Sequence, residues 1–130
     1  MISLKECEVK ILDEEDLLFV DHLKTLGIQK SVALTLTFLL NVKEASSRDI
    51  EIGTGLRQPE ISLAISFMKS HSWITGKLMK LNRRGRPLHV YSLCVPLERI
   101  FEYYEEIIYH NSQESIAKIQ KIKDILHSNH

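Results

Sequence analysis

The sequence predicts a mainly α fold with one small β-hairpin, an α+β arrangement in a single domain over residues 1–130. Three observations predict it. Apolar residues recur at helical spacing in separate stretches before residue 72 and again from residue 97. Between them, WITGKLMKL and LHVYSLCV in residues 73–95 switch to strand-type runs on either side of a turn-rich segment. The size and make-up are those of about one globular domain: 130 residues, 44% apolar and 26% charged. Such a chain buries roughly two-thirds of its unfolded surface, enough for one real core. Disordered, collagen-like and rod-like classes are excluded. No apolar run approaches the ~20 residues that span a bilayer. No basic-then-apolar leader pattern opens the chain, so a cytoplasmic location is expected.

Residues 2–11 show no firm period and read as an extended arm. Asp13 then caps a helix whose first turn, Glu14, Glu15 and Asp16, suits the positive end of the helix dipole; Gly27 suits its end. Its expected apolar stripe is Leu17, Val20, Leu23 and Leu26, with Phe19 at the margin. The next helix, about 30–42, is apolar on most faces and belongs at the centre of the core. A short helix follows. Ser46 with Asp49 three residues on makes a capping box, and Gly53 and Gly55 end it. Pro59 opens another helix, where its missing N–H costs nothing. There Ile61, Ala64, Ile65 and Met68 share one face, while Ser62, Ser66, Lys69 and Ser70 share the other. Leu63 and Phe67 point outward. The hairpin then carries Asn82-Arg83-Arg84-Gly85-Arg86-Pro87 at its tip, with Tyr91, Leu93 and Val95 expected inward. Pro96 opens a helical region of about 30 residues with a phase slip near Asn111–Ser115, readable as one helix or as two.

Net charge is zero, from 17 Lys+Arg and 17 Asp+Glu, but it is segregated. Residues 1–27 carry −4, residues 28–56 zero and residues 91–130 −2. Residues 57–90 carry +6, from Arg57, Lys69, Lys77, Lys80, Arg83, Arg84 and Arg86 against Glu60. A single basic block in an otherwise acidic chain is an electrostatic footprint for phosphate.

The order helix, short helix, turn, helix, basic hairpin is the layout of a winged helix-turn-helix. The run Ser46-Ser47-Arg48-Asp49-Ile50, continuing through Gly55-Leu56-Arg57-Gln58-Pro59-Glu60-Ile61-Ser62, resembles the helix-turn-helix of MarR-like and TrmB-like regulators, small archaeal ones most. The match extends through Ile65, Met68, Trp73-Ile74, Gly85-Arg86-Pro87 and Tyr91-Ser92-Leu93, over roughly residues 30–95. The resemblance implies a DNA-binding regulator, with the helix from about Pro59 in the major groove. Arg57 suits guanine and Gln58 adenine, Ser62 and Ser66 suit bases or phosphate, and Lys69 adds a cation. Ser47 and Arg48 read as phosphate contacts; the plain alternative for Arg48 is an ion pair with Glu44 or Asp49. Where these families often carry a polar residue, this chain has Leu63, which can touch only a thymine methyl. Arg84-Gly85-Arg86-Pro87 resembles the core of AT-hook peptides, whose arginines enter narrow minor grooves. With Lys80 and Arg83 beside it, the tip is expected on the minor groove and phosphates.

The core is expected at about 28–95, with residues 97–126 a helical dimerisation region. Leu97, Ile100, Phe101, Tyr104, Ile107 and Ile108 form a stripe too broad for one small domain, so a homodimer is expected. No enzyme, cofactor or metal is expected. His22, His71, His89, His110, His127 and His130 are scattered, Cys7 and Cys94 lack paired spacing, and no phosphate-loop or nucleophile motif occurs. A small-molecule effector has no readable site. The alternative reading is a winged-helix module that docks proteins through Leu63 and Phe67 without reading DNA.

Overall fold

A computed structural model describes residues 11–79 and 87–128. The described chain is mainly helical with a small three-stranded antiparallel sheet. It forms two units, one through Pro96 and one from Leu97.

The first unit starts with α1, Glu14–Thr25. Asp13 accepts from the Asp16 backbone N–H at 2.9 Å, and the Asp16 carboxylate accepts from the Asp13 N–H at 3.0 Å, a reciprocal capping box. Val20 and Leu23 are buried. Leu17 and Leu26, expected beside them, are 47% and 39% exposed. Leu12, just ahead of the cap, is buried instead, and its N–H donates to the Gly53 carbonyl at 3.1 Å. Gly27 follows at φ +98°, a left-handed position that favours glycine.

Helix α2, Lys30–Asn41, is the core element. Every residue from Val32 to Leu39 is buried, and the helix packs on α1. It also packs on α3 (Ser47–Thr54) and α4 (Gln58–Ser70). An all-round apolar helix needs such cover on every side. Its polar interior residues are treated differently. Thr37 donates to the Ala33 carbonyl at 2.8 Å, whereas the buried Thr35 hydroxyl has no hydrogen-bond partner among the described residues.

Strand β1 is only Ala45–Ser46. With β2 (Ile74–Met79) and β3 (Leu88–Leu93) it forms a sheet of order β1-β3-β2. Ser46 faces Val90 and Ala45 faces Tyr91; in the hairpin Gly76 faces Tyr91 and Ile74 faces Leu93. The third strand reverses the parity expected for β3. Val90, opposite buried Ser46, is itself buried, while Tyr91, Leu93 and Val95 are only half-buried. Two residues are too few to leave a periodic strand signal, so sequence reading saw a bare hairpin.

Ser46 also caps α3. Its hydroxyl accepts from the Asp49 N–H at 3.1 Å and its own N–H donates to the Asp49 carboxylate at 3.0 Å. Gly55 ends α3 at φ +80°, its N–H donating to the Glu51 carbonyl at 2.9 Å. Gly53, expected to share that role, is a buried residue inside α3.

The second unit is α5, Leu97–Ser128, one unbroken helix. It contains no glycine or proline, so the phase slip at Asn111–Ser115 turns the apolar row without breaking the hydrogen-bond ladder. Ile100 and Tyr104 are buried, Leu97 and Phe101 half-buried, and every residue from Glu105 to Ser128 exposed. Burial, and secondarily the neighbouring Tyr103, push the Tyr104 hydroxyl up to about 12.

Candidate nucleic-acid interface

The site expected from the sequence centres on α3, the turn after it, and α4. Gly55 turns the chain, buried Leu56 anchors it, and Arg57 enters α4 in an extended conformation at φ −91°, ψ 159°. The Arg57 N–H donates to the Glu60 carboxylate at 3.0 Å, closing the first turn of α4, and Pro59 lies within that turn. Ile61, Ala64, Ile65 and Met68 are buried, which fixes the rotation of α4 about its axis.

The opposite face follows. Ser62, Leu63, Ser66, Lys69 and Ser70 are exposed, Leu63 at 71%. Phe67, expected outward, is half-buried: its ring meets those of His71 at 4.5 Å and Trp73 at 5.7 Å, with His71 stacked on Trp73 at 4.8 Å. Buried Trp73 attracts this cluster, a tertiary contact that helical spacing does not reveal. Ser72, at φ 61°, makes the tight exit, and the Cys94 N–H donates to the Trp73 carbonyl at 2.9 Å. The base of the hairpin is therefore tied to the end of α4.

The two residues assigned to base edges stand differently. Arg57 has an exposed side chain. Gln58 is engaged within the protein: its amide nitrogen donates to the Glu51 carboxylate at 2.9 Å and to the Ser47 carbonyl at 3.3 Å. This amide bridges α3 to α4. Glu51 carried no signal in the sequence because its partner lies seven residues away across a turn.

Ser47 is half-buried and Arg48 exposed at the start of α3. Arg48 makes no ion pair among the described residues. The two carboxylates considered for it are occupied elsewhere, Asp49 in the α3 cap and Glu44 on Lys77 Nζ at 2.7 Å. Lys77 thus contributes less free positive charge than the basic block suggested. Lys69 Nζ lies 5.7 Å from the centre of the Tyr91 ring, a cation–π geometry that directs the end of α4 toward β3. Neither Lys77–Glu44 nor Lys69–Tyr91 was legible in the sequence, since both depend on where β2 and β3 fall. Lys80, Arg83, Arg84 and Arg86 lie outside the described residues.

Among the described residues no group of three His, Cys, Asp or Glu is placed to hold a metal ion. No described helix is long and apolar enough to cross a membrane. No protein-family model matches the chain, and no curated protein matches its sequence.

Proposed function

We propose that this chain is a winged helix-turn-helix transcriptional regulator of MarR-like or TrmB-like type that binds double-stranded DNA as a homodimer. In this reading α4 enters the major groove, and the basic segment at 80–86 lies on the minor groove and phosphates. The observation that carries it is the exposed polar row of α4, Ser62, Ser66 and Lys69, beside exposed Arg57 and within a block of net charge +6. A helix held by a buried apolar face and showing small polar side chains outward suits close approach to base edges and phosphates. Arg48 and Ser47 then contact the backbone. Both N–H groups of the Gln58 amide are already engaged, on Glu51 and on the Ser47 carbonyl, so a bidentate pair with adenine must compete with one of these bonds. A two-fold dimer sets two such helices about 34 Å apart, one turn of DNA. A cytoplasmic location belongs to the same reading.

The second reading, a protein-docking module, is favoured by one observation, the 71% exposure of Leu63 on the same face. Duplex binding measured over a salt series separates the two. DNA binding predicts a strong fall in affinity with salt. The double substitution Arg84→Ala with Arg86→Ala should weaken binding to every duplex and reduce the log–log salt slope by about 2, near one per lost phosphate contact. Unchanged affinity and slope would remove the wing from the reading. No binding to any duplex from a random pool would remove DNA altogether.

A further inference from the structure

The exposed part of α5 carries an apolar row that its own unit leaves uncovered. Ile108 is 42% exposed, Ile119 53%, Ile122 64% and Leu126 56%. A helix in water with four large aliphatic side chains in this state needs a covering surface.

The spacing of the seam identifies the cover. Tyr104, Ile108, Asn111, Ser115, Ile119, Ile122 and Leu126 follow one another by 4, 3, 4, 4, 3 and 4 residues. Alternating threes and fours are the signature of a coiled-coil seam, and the doubled four is a local eleven-residue unit that α-helices accommodate without breaking. The spacings read the same in both directions about Ser115. Laid antiparallel on itself, the seam sets Ser115 against Ser115 of a second copy. Ile108 then meets Ile122, and Ile119 meets Asn111, on either side of that centre. Leu126 runs opposite Tyr104, which is already buried.

The charges select the same orientation. Residues 97–112 hold Glu98, Arg99, Glu102, Glu105 and Glu106, net −3; residues 113–128 hold Glu114, Lys118, Lys121, Lys123 and Asp124, net +1. Head-to-tail pairing brings the acidic half onto the lysine half twice. Glu105 and Lys123 lie on one flank of the seam, five full turns apart at 3.6 residues per turn, and face each other across the antiparallel pair. A parallel pair would instead bring Lys118 beside Lys123, the arrangement that like charges flanking a seam disfavour.

We infer that α5 pairs with α5 of a second copy as an antiparallel two-helix coiled coil centred on Ser115. This rests on the homodimer of the reading above and adds its orientation. It also places the principal contact further along the helix than the stripe from Leu97 to Ile108.

The test uses the full chain with Cys7→Ser and Cys94→Ser, a nitroxide on Ser128→Cys, and light scattering for mass. Ser128 lies 13 residues beyond the centre, so at 1.5 Å per residue the two labels of an antiparallel dimer sit about 39 Å apart. A dimer with that separation supports the inference. A dimer with labels closer than about 20 Å is parallel; it overturns the orientation and leaves the homodimer standing. A monomer at micromolar concentration overturns both. Ile119→Glu, exposed in the single chain and so compatible with its folding, should weaken self-association by about 100-fold, as a charge placed in an apolar layer does. Unaltered self-association would also overturn it.

Discussion

Gly55→Ala tests the turn on which the placement of α4 depends. Gly55 sits at φ +80°, ψ 3°, and a Cβ built there meets no atom within 4 Å. A steric clash with the surroundings therefore contributes nothing. What remains is the backbone cost of an L-residue in the left-handed region, about 1–2 kcal/mol. Against it stands the reduced freedom of the unfolded chain when alanine replaces glycine, about 0.4–1 kcal/mol in the favourable direction. The backbone term wins, leaving a net destabilisation of roughly 1 kcal/mol, or about 4 °C in Tm for a chain of this size. Gly55→Asn should lose less, because asparagine visits this region at lower cost. Urea unfolding followed by Trp73 fluorescence and by helical circular dichroism, at one fixed protein concentration, measures both variants. An alanine variant as stable as the parent would refute the left-handed turn. A loss above about 3 kcal/mol would refute the open space around it.

Three further outcomes follow from packing and burial. Ile61→Ala, at a position 1% exposed, should cost about 2–4 kcal/mol in the same urea assay, whereas Leu63→Ala, two residues on and 71% exposed, should stay within about 0.5 kcal/mol. Thr35→Val removes a buried hydroxyl that lacks a partner among the described residues and keeps the side-chain shape, so it should stabilise by about 1 kcal/mol; a loss of stability would mean the hydroxyl is satisfied. Tyr104 titrates near 10 in the unfolded chain and about 12 in the folded one, so between these values the unfolded chain has lost the proton and the folded chain keeps it. Stability therefore falls as pH rises above about 10, and Tyr104→Phe should flatten that fall in a pH series of melting curves.

How much the sequence discloses depends on how local each determinant is. The caps at Asp13 and Ser46, the left-handed glycines 27 and 55, and the buried and exposed faces of α4 are written within a turn or two of chain, and all could be read there. The parity of β3 depends on a two-residue strand some 45 positions away, so the residue buried is Val90 and the flanking Tyr91 and Leu93 are not. Leu17 is exposed while Leu12, ahead of the cap and bonded to Gly53, is buried, a placement that no spacing announces. The candidate site divides in the same way. Exposure of Ser62, Ser66 and Lys69 followed from helical periodicity. The bond from Gln58 to Glu51, the pairing of Lys77 with Glu44 and the approach of Lys69 to Tyr91 arise only when separate elements meet.

Ser46 belongs at once to the sheet and to the cap of α3, and this leaves no spare chain between them. A connection of zero length cannot act as a hinge. A push on β3 reaches α3 by direct packing and through Ser46, whose hydroxyl and N–H are both bonded to Asp49. Beyond α3, the next connection along the chain is the turn at Gly55–Arg57, spanned by the Gln58 amide. Sheet and α3 thus move together, and any adjustment of α4 against them must be shared between the three residues and side-chain latch at one end of α4 and the short exit at residues 71–73 into β2 at the other.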